Sequence, residues 1–282
     1  MTCDWQAFLR LIPRWMRNDV DDIGKGGLQE LRLRTGQPPE LVLSNGSMYL
    51  HNEVSNEDLD YCLNAASQYS PWSATTVSKG FITAGGGHRI GICGNLVMAG
   101  SNVKTVNHVT SLCIRVARDY PNIAVNAQGL IGSILIIGSP GRGKTTLLRD
   151  LIRLKSNNES VTIAVVDERR ELFPITCGKF CFLTGNHTDI LSGCGKAEGI
   201  EMLIRTMNPH YVAVDEITAV EDCNAIVQAR GCGVSILATA HAADMCEFMD
   251  RPVYQPILDA EIFQNIIVMQ PDKSWKLERM NL

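Results

Sequence analysis

Eight residues constrain this chain more than any others: Gly138-Ser139-Pro140-Gly141-Arg142-Gly143-Lys144-Thr145. They fit the pattern G-x-x-x-x-G-K-[ST]. A strand-length apolar run, Ile134–Ile137, precedes them, and an amphipathic helical pattern begins inside them. Glycines let the backbone curl until successive N–H groups face phosphate oxygens, and the helix N-terminus adds partial positive charge. Lys144 supplies an ammonium for the β- and γ-phosphates, and Thr145 offers a hydroxyl to magnesium. The nucleotide-binding set is therefore Gly138, Ser139, Pro140, Gly141, Arg142, Gly143, Lys144, Thr145 and Thr146. The ligands it implies are ATP and Mg2+.

A strand–loop–helix unit of this kind belongs in a covered parallel sheet. From Ser133 onward the chain supplies one. Strands are expected at Ile134–Ile137, Thr162–Val166, Phe180–Leu183, Val212–Val214 and Val234–Ala238. Helices are expected at 145–154, 197–207 and 219–230, the last opened by a Thr218/Glu221 capping box and ended at Gly231. Ile262–Met269 and Ser274–Met280, joined by Pro271-Asp272-Lys273, read as a terminal antiparallel hairpin.

The first part differs in style. Residues 1–17 put Trp5, Phe8, Leu9, Ile12, Trp15 and Met16 on one helical face, with Arg10, Arg14 and Arg17 opposite; Pro13 splits the stretch. A packed N-terminal helix is the favoured reading, over a membrane-surface or partner-docking one. Residues 28–50 alternate as strands. Ser55 and Asp58 form a capping box before a helix, and Phe81–Thr83 with Arg89–Met98 read as a hairpin. Two domains follow: α+β for residues 1–120 and α/β for 121–282, with a linker near 119–129.

Acids at the same sheet edge as the phosphate loop complete a site. In Tyr211-Val-Ala-Val-Asp215-Glu216 the strand ends in two carboxylates. Asp215 would hold magnesium, and Glu216 would polarise the attacking water. In Val165-Val166-Asp167-Glu168-Arg169-Arg170-Glu171, Asp167 or Glu168 is a candidate to support magnesium or the water from behind the direct ligands; a solvated charged loop is the competing reading. In Leu237-Ala-Thr239-Ala-His241, Thr239 or His241 is placed to sense the γ-phosphate. The catalytic candidates are Glu216, Lys144, Asp167, Glu168 and His241; the metal candidates are Thr145 and Asp215.

Composition removes some classes. The 282 residues carry a formal net charge of −4 and only 6% aromatics, which argues against a protein that binds nucleic acid by charge and stacking. No apolar run approaches a membrane span, and charges interrupt the N-terminus, so the chain reads as cytoplasmic. The 10 cysteines are scattered, without C-x-x-C. Cys177, Cys181, His187 and Cys194 have zinc-ligand chemistry but no common zinc spacing, and plain packing is favoured.

Taken in order, the phosphate loop, Val166-Asp167-Glu168, Ile204-Arg205-x-x-x-Pro209, Val214-Asp215-Glu216-Ile217 and Thr239-Ala-His241 resemble the RecA-like type II/IV secretion ATPases. A narrower resemblance covers nearly the whole chain. Glu30-Leu-Arg32-Leu-Arg34-x-Gly36, Ile82-Thr-x-x-Gly85-Gly86-Gly87-His88-Arg89-Ile90-Gly91-Ile92-Cys93-Gly94, Leu112-x-Ile114-Arg115-Val116-Ala117-Arg118, Thr188-Asp189-Ile190-Leu191 and Lys196-Ala197-Glu198-Gly199 resemble the stage III sporulation protein AA family. That resemblance implies a RecA-like ATPase core at 121–282 behind an assembly domain at 1–120. It implies self-association in a ring such as a hexamer, and action in the mother cell. There the protein would sit peripherally at the inner face of the membrane, with membrane proteins of the mother cell–forespore channel as partners. A ring would need a cation acting in trans, for which Arg89, Arg115, Arg118, Arg205 and Arg230 are candidates. The chain departs from the family pattern at His187, where Arg is usual, and at Gly195, where Pro is usual. Two other readings are a nucleic-acid-dependent ATPase and an ATP-gated adaptor without turnover.

Overall fold

The computed structural model describes residues 1–67, 80–99, 102–158, 160–176 and 178–279. The chain divides into two compact units, Met1–Asp119 with Pro174–Cys181, and Tyr120–Phe173 with Phe182–Leu282.

In the first unit, helices α1 (Trp5–Leu11) and α2 (Arg17–Gly27) flank Pro13. Asp4 caps α1 by accepting the Ala7 N–H, and Phe8, Leu9, Ile12 and Met16 are buried while Arg10 and Arg14 are exposed. The apolar stripe thus packs on its own unit, as the favoured reading has it. Strands β1 (Leu28–Arg34), β2 (Glu40–Leu43) and β3 (Gly46–Tyr49) form a meander. Helix α3 (Asn56–Ser67) starts at the expected box: Asp58 accepts from the Ser55 N–H, and Ser55 Oγ accepts from the Asp58 N–H. Strand β4 (Phe81–Thr83) pairs with β5 (Arg89–Ala99), which pairs with the long β6 (Asn102–Arg115). The antiparallel six-stranded sheet has the order β3-β2-β1-β6-β5-β4. Its inner face, with Leu31, Leu33, Ile90 and Ile114 fully buried, meets α1 and α3 in one core.

The second unit opens with β7 (Ile134–Ile137), the phosphate loop and α4 (Lys144–Ser156), then β8 (Ile163–Asp167). A short hairpin, β9 (Ile175–Thr176) with β10 (Lys179–Phe180), belongs to the first unit. The strand expected at Phe180–Leu183 is therefore corrected. Only Lys179 and Phe180 are extended, and they pair with β9 outside the main sheet. The place in the sheet goes to β11 (Thr188–Ser192), whose mixed polar sequence suits an edge. Helix α5 (Lys196–Met207), β12 (Tyr211–Ile217), α6 (Val220–Gly231) and β13 (Ser235–Ala240) follow, then two short helices, α7 (Met245–Asp250) and α8 (Gln255–Asp259). The cap of α6 lies one residue later than expected: Asp222 accepts from the N–H groups of Thr218 and Ala219. Strands β14 (Asn265–Met269) and β15 (Trp275–Glu278) are the antiparallel terminal pair; Met280 lies outside the described residues.

The seven-stranded order is β11-β8-β12-β13-β7-β14-β15, parallel except for β15. Near-continuous apolar strands make this possible, because helices cover both faces. Gly199 lets α5 lie tight on β8: a Cβ there would stand 2.6 Å from Val166 Cγ1. Among the described residues no helix is long and apolar enough to cross a membrane.

Candidate functional site

Strand register assembles the site. Val214 on β12 pairs with Val166 on β8 and with Ala238 on β13, and Ala240 pairs with Ile137 on β7. The residues that follow these positions emerge together at the C-terminal edge of the sheet, where open α/β sheets bind ligands. They are Asp167, Asp215, Glu216, Thr239, His241 and the loop from Gly138.

The loop is wound for an anion. Gly143 precedes α4 with φ 92°, a left-handed conformation that a side chain resists, and it directs the first helical amides into the loop. Lys144 is buried at the helix start. Its Nζ donates to the carbonyls of Gly138 at 2.6 Å and Ser139 at 3.0 Å, and to His241 Nδ1 at 3.0 Å. Burial lowers the Lys144 pKa, and the charges of Asp215 and Glu216 oppose that shift. The lysine is thus held inside the loop in a low-dielectric setting, where an arriving phosphate meets a strong counter-charge.

Asp215 and Glu216 point to different tasks. Burial raises the Asp215 pKa, while hydrogen bonds from Thr239 and Thr145 oppose the rise. A half-buried carboxylate beside the Thr145 hydroxyl is an oxygen donor set that fits Mg2+, a hard cation usually completed by water and phosphate oxygens. Among the described residues no three His, Cys, Asp or Glu converge as a metal site made by protein alone. Glu216 accepts from His241 Nε2 at 3.0 Å through Oε1 and pairs with Arg169 Nη1 at 2.5 Å through Oε2. A continuous chain therefore runs Lys144–His241–Glu216–Arg169. Because the ammonium donates to Nδ1, the imidazole carries its proton on Nε2.

Asp167 and Glu168 are both engaged by groups of the protein itself. Both Asp167 carboxylate oxygens are committed to loop amides: Oδ1 takes the Glu171 and Leu172 N–H groups, and Oδ2 takes Phe173. Arg149, itself buried, holds the carbonyls of Leu172 and Glu171 in the same loop. Asp167 thus shapes the loop that carries Arg169. Glu168 accepts from Lys196 Nζ at 2.7 Å, and Lys196 also meets Asp222 at 3.4 Å. Its carboxylate faces the start of α5. Asp167 is the last residue of β8, level with Asp215 in register, and Glu168 opens the turn that follows.

Thr239 is turned from the expected sensor position. Its hydroxyl donates to Asp215 Oδ1 at 2.6 Å and accepts the Glu216 N–H at 2.7 Å. His241 stands where a sensor would, on the phosphate-loop lysine. Arg169, Lys196 and Arg149 carry no site signal in the sequence: Arg169 sits in a charged run, Arg149 on an amphipathic helix and Lys196 at a helix start, where a cation is equally expected at the surface. Cys177 lies outside the described residues; His187 Nδ1 bonds the Ser156 carbonyl, and the cysteines Cys181 and Cys194 are free thiols.

A family model described as sporulation stage III, protein AA matches residues 8–276. Stage III sporulation protein AA of Bacillus subtilis (strain 168) is 33% identical over 276 residues, covering 93% of this chain and 90% of that one. Among solved structures, the ATPase DotB of Legionella pneumophila aligns with a TM-score of 0.61 at 16% identity, over 96% of this chain and 80% of its own. The pilus retraction motor PilT, solved with bound ADP, aligns with a TM-score of 0.63 at 16% identity, over 94% and 83%. At such identity the likeness is one of fold: a RecA-like core with a parallel sheet.

Proposed function

Since the chain belongs to the sporulation stage III protein AA family, we propose that it is an ATP-hydrolysing enzyme of the secretion-ATPase type serving sporulation. The observation that carries this reading is the convergence of a wound phosphate loop, a hydrogen-bonded Thr145–Asp215 pair and a hydrogen-bonded Glu216 at one sheet edge. The bound ADP of PilT supports a nucleotide as ligand.

The chain's own groups perform the steps. Amides of residues 141–146 and the α4 terminus take the phosphate oxygens. Lys144 leaves the Gly138 and Ser139 carbonyls and His241 to meet the β- and γ-phosphates. Thr145 and Asp215 would hold Mg2+, which would supply charge neutralisation for the phosphate oxygens. Glu216 orients a water at the γ-phosphorus and takes its proton as ADP and phosphate form. His241, released by Lys144 and still bonded to Glu216, reports the occupied state to the base. Asp167 keeps the Arg169 loop in place.

On the larger scale, residues 1–120 form an assembly domain and 121–282 the ATPase domain. Copies close into a ring such as a hexamer. The ring works on the mother-cell side, peripheral to the membrane, and energises assembly of, or transport through, the channel to the forespore with that channel's membrane proteins as partners. Family membership and the secretion-ATPase fold support this placement.

The decisive experiment compares Glu216→Gln with Lys144→Ala. Glu216→Gln should keep Mg-ATP affinity within about threefold and lose at least ~100-fold in turnover. Lys144→Ala should lose affinity. Wild-type turnover in Glu216→Gln would refute the assigned base.

A further inference from the structure

β12 and β13 run in register from Tyr211↔Ser235 to Val214↔Ala238 and resume at Ile217↔Ala240. Asp215 and Glu216 together therefore face the single residue Thr239, which is the definition of a β-bulge. In an unbroken strand neighbouring side chains point to opposite faces, so one of the two carboxylates would leave the site. The bulge suspends that alternation. It does so at a cost: Glu216 takes φ 56°, an uncommon conformation for a residue with a side chain, and its N–H loses its rung in the ladder.

The Thr239 hydroxyl meets both needs. It accepts the displaced Glu216 N–H at 2.7 Å and donates its own proton to Asp215 Oδ1 at 2.6 Å. The residue is 1% exposed, so water does not readily take over either bond. Each bond polarises the hydroxyl in favour of the other. Contact of this hydroxyl with a γ-phosphate would break the arrangement.

We propose that Thr239 is the positioning residue of the acidic pair, one hydroxyl fixing Asp215 as metal ligand and Glu216 as base within the same bulge. Metal binding and base orientation are thereby coupled through a group that touches neither the nucleotide nor the attacking water. This deepens the ATPase reading above and rests on it.

The test uses the full chain as wild type, Thr239→Val and Thr239→Ser. Valine matches threonine in shape but offers no hydrogen bond; serine keeps the hydroxyl. Thr239→Val should speed hydrogen–deuterium exchange of the Glu216 amide at least ~10-fold. It should also raise the Mg2+ concentration for half-maximal ATP hydrolysis and lower kcat by about 10–100-fold, with KM for ATP changing less than about threefold. Thr239→Ser should restore all of these. The proposal is overturned if Thr239→Val matches wild type in Glu216 exchange and Mg2+ dependence, or if Thr239→Ser is impaired as much as Thr239→Val. If valine prevents folding, Thr239→Ala takes its place against the same serine control. Should the wild type bind Mg-ADP but turn over no ATP, the hydrolase reading falls. The Glu216 exchange rate and the calorimetric Mg2+ affinity of the ADP complex would still decide the role of Thr239.

Discussion

His88, which ends the glycine run of the first unit, has no exposed surface and two hydrogen bonds of opposite sense. The Ala117 N–H donates to Nδ1 at 3.0 Å, so Nε2 carries the proton and donates to the Asp4 carbonyl at 2.9 Å. Burial lowers the pKa, and a second proton on Nδ1 would face an N–H with no acceptor left. A folded pKa depressed below the unfolded value of about 6.5 means stability that is full above that pH and is lost as pH falls through the folded value. We expect the urea midpoint of the first unit to drop as pH falls below about 6.5, and His88→Gln to flatten that drop. Equal slopes in the two proteins would rule the histidine out as the cause. The same logic of one donor and one acceptor per polar group explains Thr239, whose hydroxyl is fully used without touching ligand.

At the scale of an element, the start of α5 carries two glycines with opposite predicted effects. Gly195, before the first helical residue, has φ −62° and ψ 149°, and nothing lies within 4 Å of where its Cβ would stand. Proline adopts that φ, and among the described residues no backbone bond uses the Gly195 N–H. Gly195→Pro should therefore stabilise by about 0.4–1 kcal/mol through the unfolded chain. Gly199→Ala should cost about 1–3 kcal/mol, because the new methyl meets Val166 and Cys194 Sγ across a packed contact. Chemical denaturation of the two variants checks both signs; a destabilised Gly195→Pro would mean the preceding residue cannot accept a proline. Lys196, between these glycines, ties Glu168 after β8 to Asp222 at the start of α6. Three element ends around the site are thus joined by one buried cation.

At the scale of the molecule, each compact unit has an apolar cluster of its own among the described residues. One is built from residues between Phe8 and Val116, the other from residues between Leu135 and Val268. The phosphate loop lies in the second unit. Mg-nucleotide binding stabilises only what binds it, by about 2.7 kcal/mol at a hundredfold excess over Kd. Thermal unfolding should therefore resolve two transitions, of which Mg-ADP raises one. A uniform shift of a single transition would show that the units unfold together. The proposed ring is tested by sedimentation with and without a non-hydrolysable ATP analogue: assembly on nucleotide addition is expected, and a monomer in both conditions counts against it.

What the sequence determined is what depends on local pattern. The phosphate loop is a short-range device, so its eight residues, flanking strand and helix are visible in order. The apolar strands Ile134–Ile137 and Val212–Val214, the Ser55/Asp58 box and the terminal hairpin are legible for the same reason: period and cap chemistry act within a few residues. What only the tertiary structure decided is pairing. Phe180 looks like a buried strand but pairs with Ile175 in a small hairpin, while the polar Thr188–Ser192 takes the sheet edge. Asp167 and Asp215 both end apolar strands, yet one caps a turn and the other meets Thr145 and Thr239. That difference arises from register between strands distant in sequence, where one extra residue in β12 redirects a carboxylate. No local pattern encodes which hydroxyl will stand opposite it.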